Sequence, residues 1–151
     1  MTVHYLEDFE VGQIFETDEL TVTESMIIDF AREFDPQPFH TDPATARSSM
    51  FRGLAASGWH TCAITMGMVV RSGLKIANGQ VGMGIEGIRW PRPVRPGDTL
   101  RVTIEILEIR PSQSQPGWGV VKVRWTNRNQ NGEIVAEILP NCWVQARRVE
   151  R

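Results

Sequence analysis

Asp35 and His40 stand five positions apart in the segment Phe34-Asp35-Pro36-Gln37-Pro38-Phe39-His40-Thr41-Asp42-Pro43. A carboxylate and an imidazole held together can accept, keep and return a proton, which is what general acid–base chemistry requires. The prolines bear on how such a pair is held. Proline lacks an N–H, fixes φ and pushes the residue before it toward extended conformations. The segment is therefore expected to be a shaped loop rather than ordinary helix or central strand. An Asp and a His in a loop also suit turn formation or satisfied surface polarity, so the pair gains meaning only from its surroundings.

Other residues with chemical potential read differently. His60 lies in an apolar helical stretch and reads as a packed core histidine, and His4 as a solvated residue near the terminus. Asp42 precedes Pro43 and reads as a helix N-cap. Trp59, Met66 and Met68 suit core packing more than pocket lining, although a buried helix can serve both. Arg92 and Arg95 flank prolines and read as solvated charge, with phosphate contact as the alternative. Cys62 and Cys142 are eighty positions apart and the histidines lack ligand spacing, so no metal site is expected. No glycine-rich phosphate loop of the P-loop or dinucleotide type occurs.

The elements that must position these residues follow from periodicity. A turn at Val11-Gly12-Gln13 leads into an early strand, about 14–22. Thr23-Glu24-Ser25 offers a helix N-cap, and Met26, Ile27, Phe30 and Phe34 fit an amphipathic helix ending near Phe34. Asp42-Pro43 opens a short helix to about Ser48. A second long helix is expected from about Ser57 to Ser72. It is apolar nearly all round, which places it at the centre of the domain.

After this helix the period changes. A strand is expected at about 80–90, before the proline-rich Trp90–Asp98 stretch. Leu100, Val102, Ile104 and Ile106 alternate with polar residues, as do Val121, Val123 and Trp125, the pattern of antiparallel strands with one wet face. Asn131-Gly132 signals a hairpin. The closing strand spans about 133–145, with Pro140 marking a bulge or an edge. The fold class is α+β: an antiparallel sheet packed on a central helix.

With 151 residues and a net charge of -2, the chain suits one domain, 1–151, without global attraction to nucleic acid or anionic membrane. The most apolar stretch, 61–70, is too short to cross a bilayer, and Met1–Asp8 does not read as a signal peptide. The cysteines read as buried free thiols of a reducing compartment, with one disulfide as the alternative. A cytoplasmic location is expected.

Asp35-Pro36-Gln37-Pro38-Phe39-His40-Thr41-Asp42-Pro43, with Ala46 as a following small residue, resembles the hydratase-2 motif of MaoC-like dehydratases. Arg52-Gly53-Leu54-Ala55-Ala56-Ser57-Gly58-Trp59-His60 is similar to the small-residue segment before that family's central helix. Pro93-Val94-Arg95-Pro96-Gly97-Asp98-Thr99-Leu100 is similar to its strand-opening signature. The matches keep the family's order and spacing and span about 10–145. Two positions depart from the motif: Phe34 stands where glycine is common, and Gln37 where asparagine is. Both bear on substrate choice more than on reaction class.

The resemblance implies a hotdog fold, at least a homodimer, and acyl thioesters of coenzyme A as substrates. It further implies hydration of trans-2-enoyl-CoA to (R)-3-hydroxyacyl-CoA, or the reverse dehydration, with no cofactor beyond the coenzyme A of the substrate. Residue by residue, Asp35 and His40 become the catalytic pair and Gly58 the backbone donor to the thioester carbonyl. Phe34, Gln37, Phe39 and Trp59 become substrate contacts. In this reading Asp35 accepts a proton from water while His40 positions that water and protonates C2, with the reversed assignment equally open. Gly58 suits its role because N–H groups at a helix start are free and the helix dipole is positive there. A hotdog acyl-CoA thioesterase and a non-catalytic acyl-CoA-binding subunit are the alternatives.

Overall fold

A computed structural model describes residues 2–147, and its elements fall into two blocks along the chain. The first holds the short strands β1 (Val3–His4), β2 (Ile14–Glu16) and β3 (Leu20–Thr21). Four helices follow: α1 (Glu24–Phe34), α2 (Pro38–Thr41), α3 (Pro43–Arg47) and α4 (Gly58–Arg71). The second block holds β4 (Lys75–Ile76) and the long strands β5 (Val81–Arg89), β6 (Thr99–Pro111), β7 (Trp118–Arg128) and β8 (Ile134–Gln145). The single early strand expected over 14–22 is two short pieces, β2 and β3, both paired antiparallel with β6.

The main sheet runs β2-β6-β7-β8-β5 with every neighbouring pair antiparallel, and β1 pairs in parallel with β4 beside it. Alternation along the long strands turns Leu100, Val102, Ile104, Ile106, Val121, Val123 and Ile138 inward. They share one core with Ile64, Met68 and Val69 of α4. An antiparallel sheet wrapped around one long helix is the hotdog arrangement, and the class is α+β. Among the described residues no helix is long and apolar enough to cross a membrane.

The structure decides four points that the sequence left as expectations. Pro140 marks a bulge and not an edge: β8 lies between β7 and β5, and one of the two register shifts between β5 and β8 starts at its partner, between Ile85 and Ile88. A proline inside a sheet needs such an irregular neighbour, because it cannot donate to the ladder. Helix α4 is not buried all round. One stripe, Trp59, Ala63, Met66 and Val70, faces outward, so two of the presumed core residues, Trp59 and Met66, are exposed while Met68 is buried. His4 is half-buried against Phe9 and Phe15 instead of solvated. The cysteines are free thiols as expected, Cys142 buried but Cys62 only partly so.

Candidate active site

Asp35 is delivered by the end of a well-capped helix. The Thr23 hydroxyl accepts from Met26 N–H at 3.2 Å, fixing where α1 begins. Pro36 ends it, since the residue before a proline leaves the helical region, and Asp35 turns out at φ −153°, ψ 68°. Its own N–H still bonds Ala31 C=O at 2.9 Å. The carboxylate is then fixed from two sides. Ser57 Oγ donates to Oδ2 at 2.7 Å, and Gln37 Nε2 donates to Oδ1 at 2.6 Å. Partial burial raises the Asp35 pKa, but the Ser57 and Gln37 bonds and the nearby His40 outweigh it, and the net shift is below the usual aspartate value. Asp35 is thus a carboxylate near neutral pH.

His40 does not sit in open loop. It belongs to the single turn α2, which Pro38 begins at the first helical position, the one place in a helix where proline fits. The two prolines therefore shape an extended step followed by a turn, not a loop throughout. His40 is 5% exposed. Its Nδ1 lies 2.6 Å from Ala55 C=O. A carbonyl only accepts, so Nδ1 carries hydrogen, and Nε2 presents a lone pair when the ring is neutral and an N–H when it is charged. Nε2 lies 3.4 Å from Asp35 Oδ2. That spacing exceeds a charge-assisted hydrogen bond but lets one water touch both atoms. Phe39 packs edge-on to the imidazole, with centroids 4.6 Å apart, and stands behind the ring.

Gly58 opens α4, so its N–H is among those without an intrahelical partner. A serine at the preceding position would normally cap these donors with its hydroxyl. Here Ser57 makes no such bond, and its hydroxyl is turned to Asp35, to which it donates. The helix start stays uncapped and available to an oxyanion. Glycine is required by close approach: a Cβ at position 58 would lie 2.7 Å from the Trp90 ring. Trp90 is pinned there by its Nε1–H, which donates to Gly58 C=O at 3.0 Å. Ser57 and Trp90 are the functional candidates that sequence reasoning missed. The one available signal was a serine in the segment before α4, which reads simply as a cap.

Asp35, His40, Gly58 and Trp59 line one cavity of about 600 Å³, together with Phe51, Trp90 and Val94. Three other expected contacts stand elsewhere. Phe34 is 64% exposed, leans on Phe30 and does not line the cavity. Gln37 and Phe39 serve Asp35 and His40 from outside it. Arg95 is neither free nor solvated charge: its guanidinium donates to Phe51, Gly53 and Leu54 carbonyls and braces the segment before α4. Arg92 pairs with Glu133 at 2.9 Å. His60 is buried and stacked on Phe30 at 4.5 Å, and burial lowers its pKa. Among the described residues no group of three metal-binding side chains converges.

Comparison with known proteins shows what the chain as a whole is similar to. A family model described as the MaoC like domain matches residues 8–129. The chain is 33% identical over 132 residues to the protein YdeM of Bacillus subtilis (strain 168), covering 87% of this chain and 92% of that one. Among solved structures, the MaoC-like dehydratase of Rhodospirillum rubrum is 46% identical with a TM-score of 0.93, covering 97% of this chain and 99% of that chain. The R-hydratase PhaJ1 of Pseudomonas aeruginosa, in its unliganded form, is 25% identical with a TM-score of 0.75, covering 97% and 92%.

Proposed function

The chain belongs to the MaoC-like dehydratase family, and from that premise we propose that it adds water to trans-2-enoyl-CoA to give (R)-3-hydroxyacyl-CoA, or runs the reverse dehydration. The observation that carries this reading is the meeting of Asp35 Oδ2 and His40 Nε2, 3.4 Å apart, in a cavity shared with the uncapped start of α4. The likeness to an R-hydratase supports the reaction class and the (R) configuration.

Hydration follows from the protonation pattern. A water held by ionised Asp35 and by the Nε2 lone pair of His40 donates one hydrogen to each. Its oxygen attacks C3, and the π electrons move toward the thioester carbonyl. The Gly58 N–H and the positive end of α4 stabilise the oxyanion that forms, an effect worth roughly 3–4 kcal/mol for one such donor. The proton released from water passes to Nε2, and the Nε2–H then protonates C2. His40 takes the proton because Ser57 and Gln37 hold Asp35 as a weak base. Asp35 orients the water and balances the imidazolium. No cofactor enters these steps.

Two copies act together in this proposal. The exposed apolar stripe of α4 and the exposed Val81, Met83 and Ile85 on edge strand β5 support a homodimer formed on that side. The free thiols suit the reducing cytoplasm.

The test is loss of conjugated double-bond absorbance when purified protein meets crotonyl-CoA and longer enoyl-CoAs. Asp35→Asn and His40→Gln should each lower kcat/KM by roughly 10²–10⁴-fold. A wild type inert toward all of them refutes the activity, and undiminished rates in both variants refute the mechanism.

A further inference from the structure

The turn that leads into the Ala55–Gly58 segment is gripped by one guanidinium. Arg95 Nη1 donates to Gly53 C=O at 2.9 Å and to Leu54 C=O at 3.3 Å, and Nη2 donates to Phe51 C=O. In the middle of this stretch Arg52 has a left-handed φ of 56°. A residue other than glycine holds that conformation at a cost, and only where its surroundings enforce it. Here the carbonyls on both sides of Arg52 are tied to the fork of Arg95, whose planar donors meet several acceptors at once. Arg95 is itself anchored: its N–H donates to Asp98 Oδ2 at 2.9 Å, and Gln130 Nε2 donates to Oδ1 at 3.0 Å.

The residues that follow carry this grip to the site. Ala56 N–H donates to Val94 C=O at 2.9 Å, so the stretch 51–56 hangs on Val94 and Arg95 together. Between the two attachments stands Ala55 C=O, which lies 2.6 Å from His40 Nδ1. Next after Ala56 comes Ser57, which donates to Asp35. We propose that Arg95 is a positioning residue: by clamping the turn before α4 it aims Ala55 C=O, which holds hydrogen on His40 Nδ1 and leaves the Nε2 lone pair facing Asp35. The tautomer of a neutral imidazole is set by the bond its other nitrogen makes. The inference rests on the hydration reading above and deepens it, since a neutral His40 with hydrogen on Nε2 has no lone pair there to take a proton from water.

The test joins nitrogen-15 NMR of the histidine tautomers, at alkaline pH, to enoyl-CoA hydration kinetics in wild type, Arg95→Lys and Arg95→Gln. Lysine keeps the charge but offers one point of donors in place of a fork. Wild type should carry hydrogen on His40 Nδ1. Both variants should show His40 partly converted to the Nε2–H tautomer, with kcat lower by roughly 10²-fold, the cost of a misplacement of about 1 Å, and KM little changed. His60, stacked on Phe30 of α1, should keep its wild-type signals and report an intact fold. Hydrogen on His40 Nε2 in wild type, or on Nδ1 alone in both variants, overturns the proposal. So does full kcat in Arg95→Lys, which would assign the effect to charge, or an Arg95→Lys protein that does not fold, which would assign Arg95 to the fold. A wild type inert toward enoyl-CoAs whose His40 tautomer still follows Arg95 counts against the hydration reading alone.

Discussion

Ser57 shows how one hydroxyl decides two properties of the site. Donated to Asp35, it lowers the carboxyl pKa; withheld from its own helix, it leaves the start of α4 open. Ser57→Ala should therefore move the acidic limb of the kcat/KM profile to higher pH. A depressed folded-state pKa contributes stability above the unfolded pKa, and that contribution is lost as pH falls through the folded value. The variant should lose roughly 1–3 kcal/mol of unfolding free energy at neutral pH, with the deficit shrinking in acid below the carboxylate range. Denaturant melts at several pH values measure it, and a pH-independent deficit would show that Ser57 acts through packing alone. Asp35 and His40 were legible because their spacing and prolines are local. The Ser57–Asp35 bond joins positions 22 apart, and nothing in either stretch announces the other.

At the scale of elements, the start of α4 depends on the fit between Gly58 and Trp90. Gly58→Ala places a methyl against an indole that is held by its own hydrogen bond. The variant should lose roughly 1–3 kcal/mol of stability, the usual cost of overpacking. The Gly58→Ala/Trp90→Ala double variant should be more stable than the sum of the two single effects predicts, because removal of the ring relieves the clash. Thermal melts of the four proteins check this, and strict additivity would count against the contact. The limits of α4 were readable from Ser57 and Ser72, which flank it as caps. Its orientation was not, because an apolar helix gives no sign of which side meets the core and which awaits another surface. Pro140 was read as a bulge or an edge, and only strand order decides between them.

At the scale of the molecule, the alternation in β6, β7 and β8 and the apolar α4 together specify a sheet packed on a helix, and this much followed from periodicity, while the wrapping of the sheet around the helix was implied by the family resemblance. The proposed dimer rests on side chains left outside that core. Light scattering should give about twice the protomer mass of 17.1 kDa, and charge on the exposed strand, Met83→Lys with Ile85→Lys, should yield monomers. A wild-type monomer would contradict the proposed dimer. The catalytic account is tested most directly by mass spectrometry of crotonyl-CoA after incubation with the protein in heavy-oxygen water. It predicts an intact coenzyme A thioester, heavier by one labelled water, with the label on C3 and no free thiol. An unchanged enoyl thioester, or labelled free acid beside released coenzyme A, would contradict it.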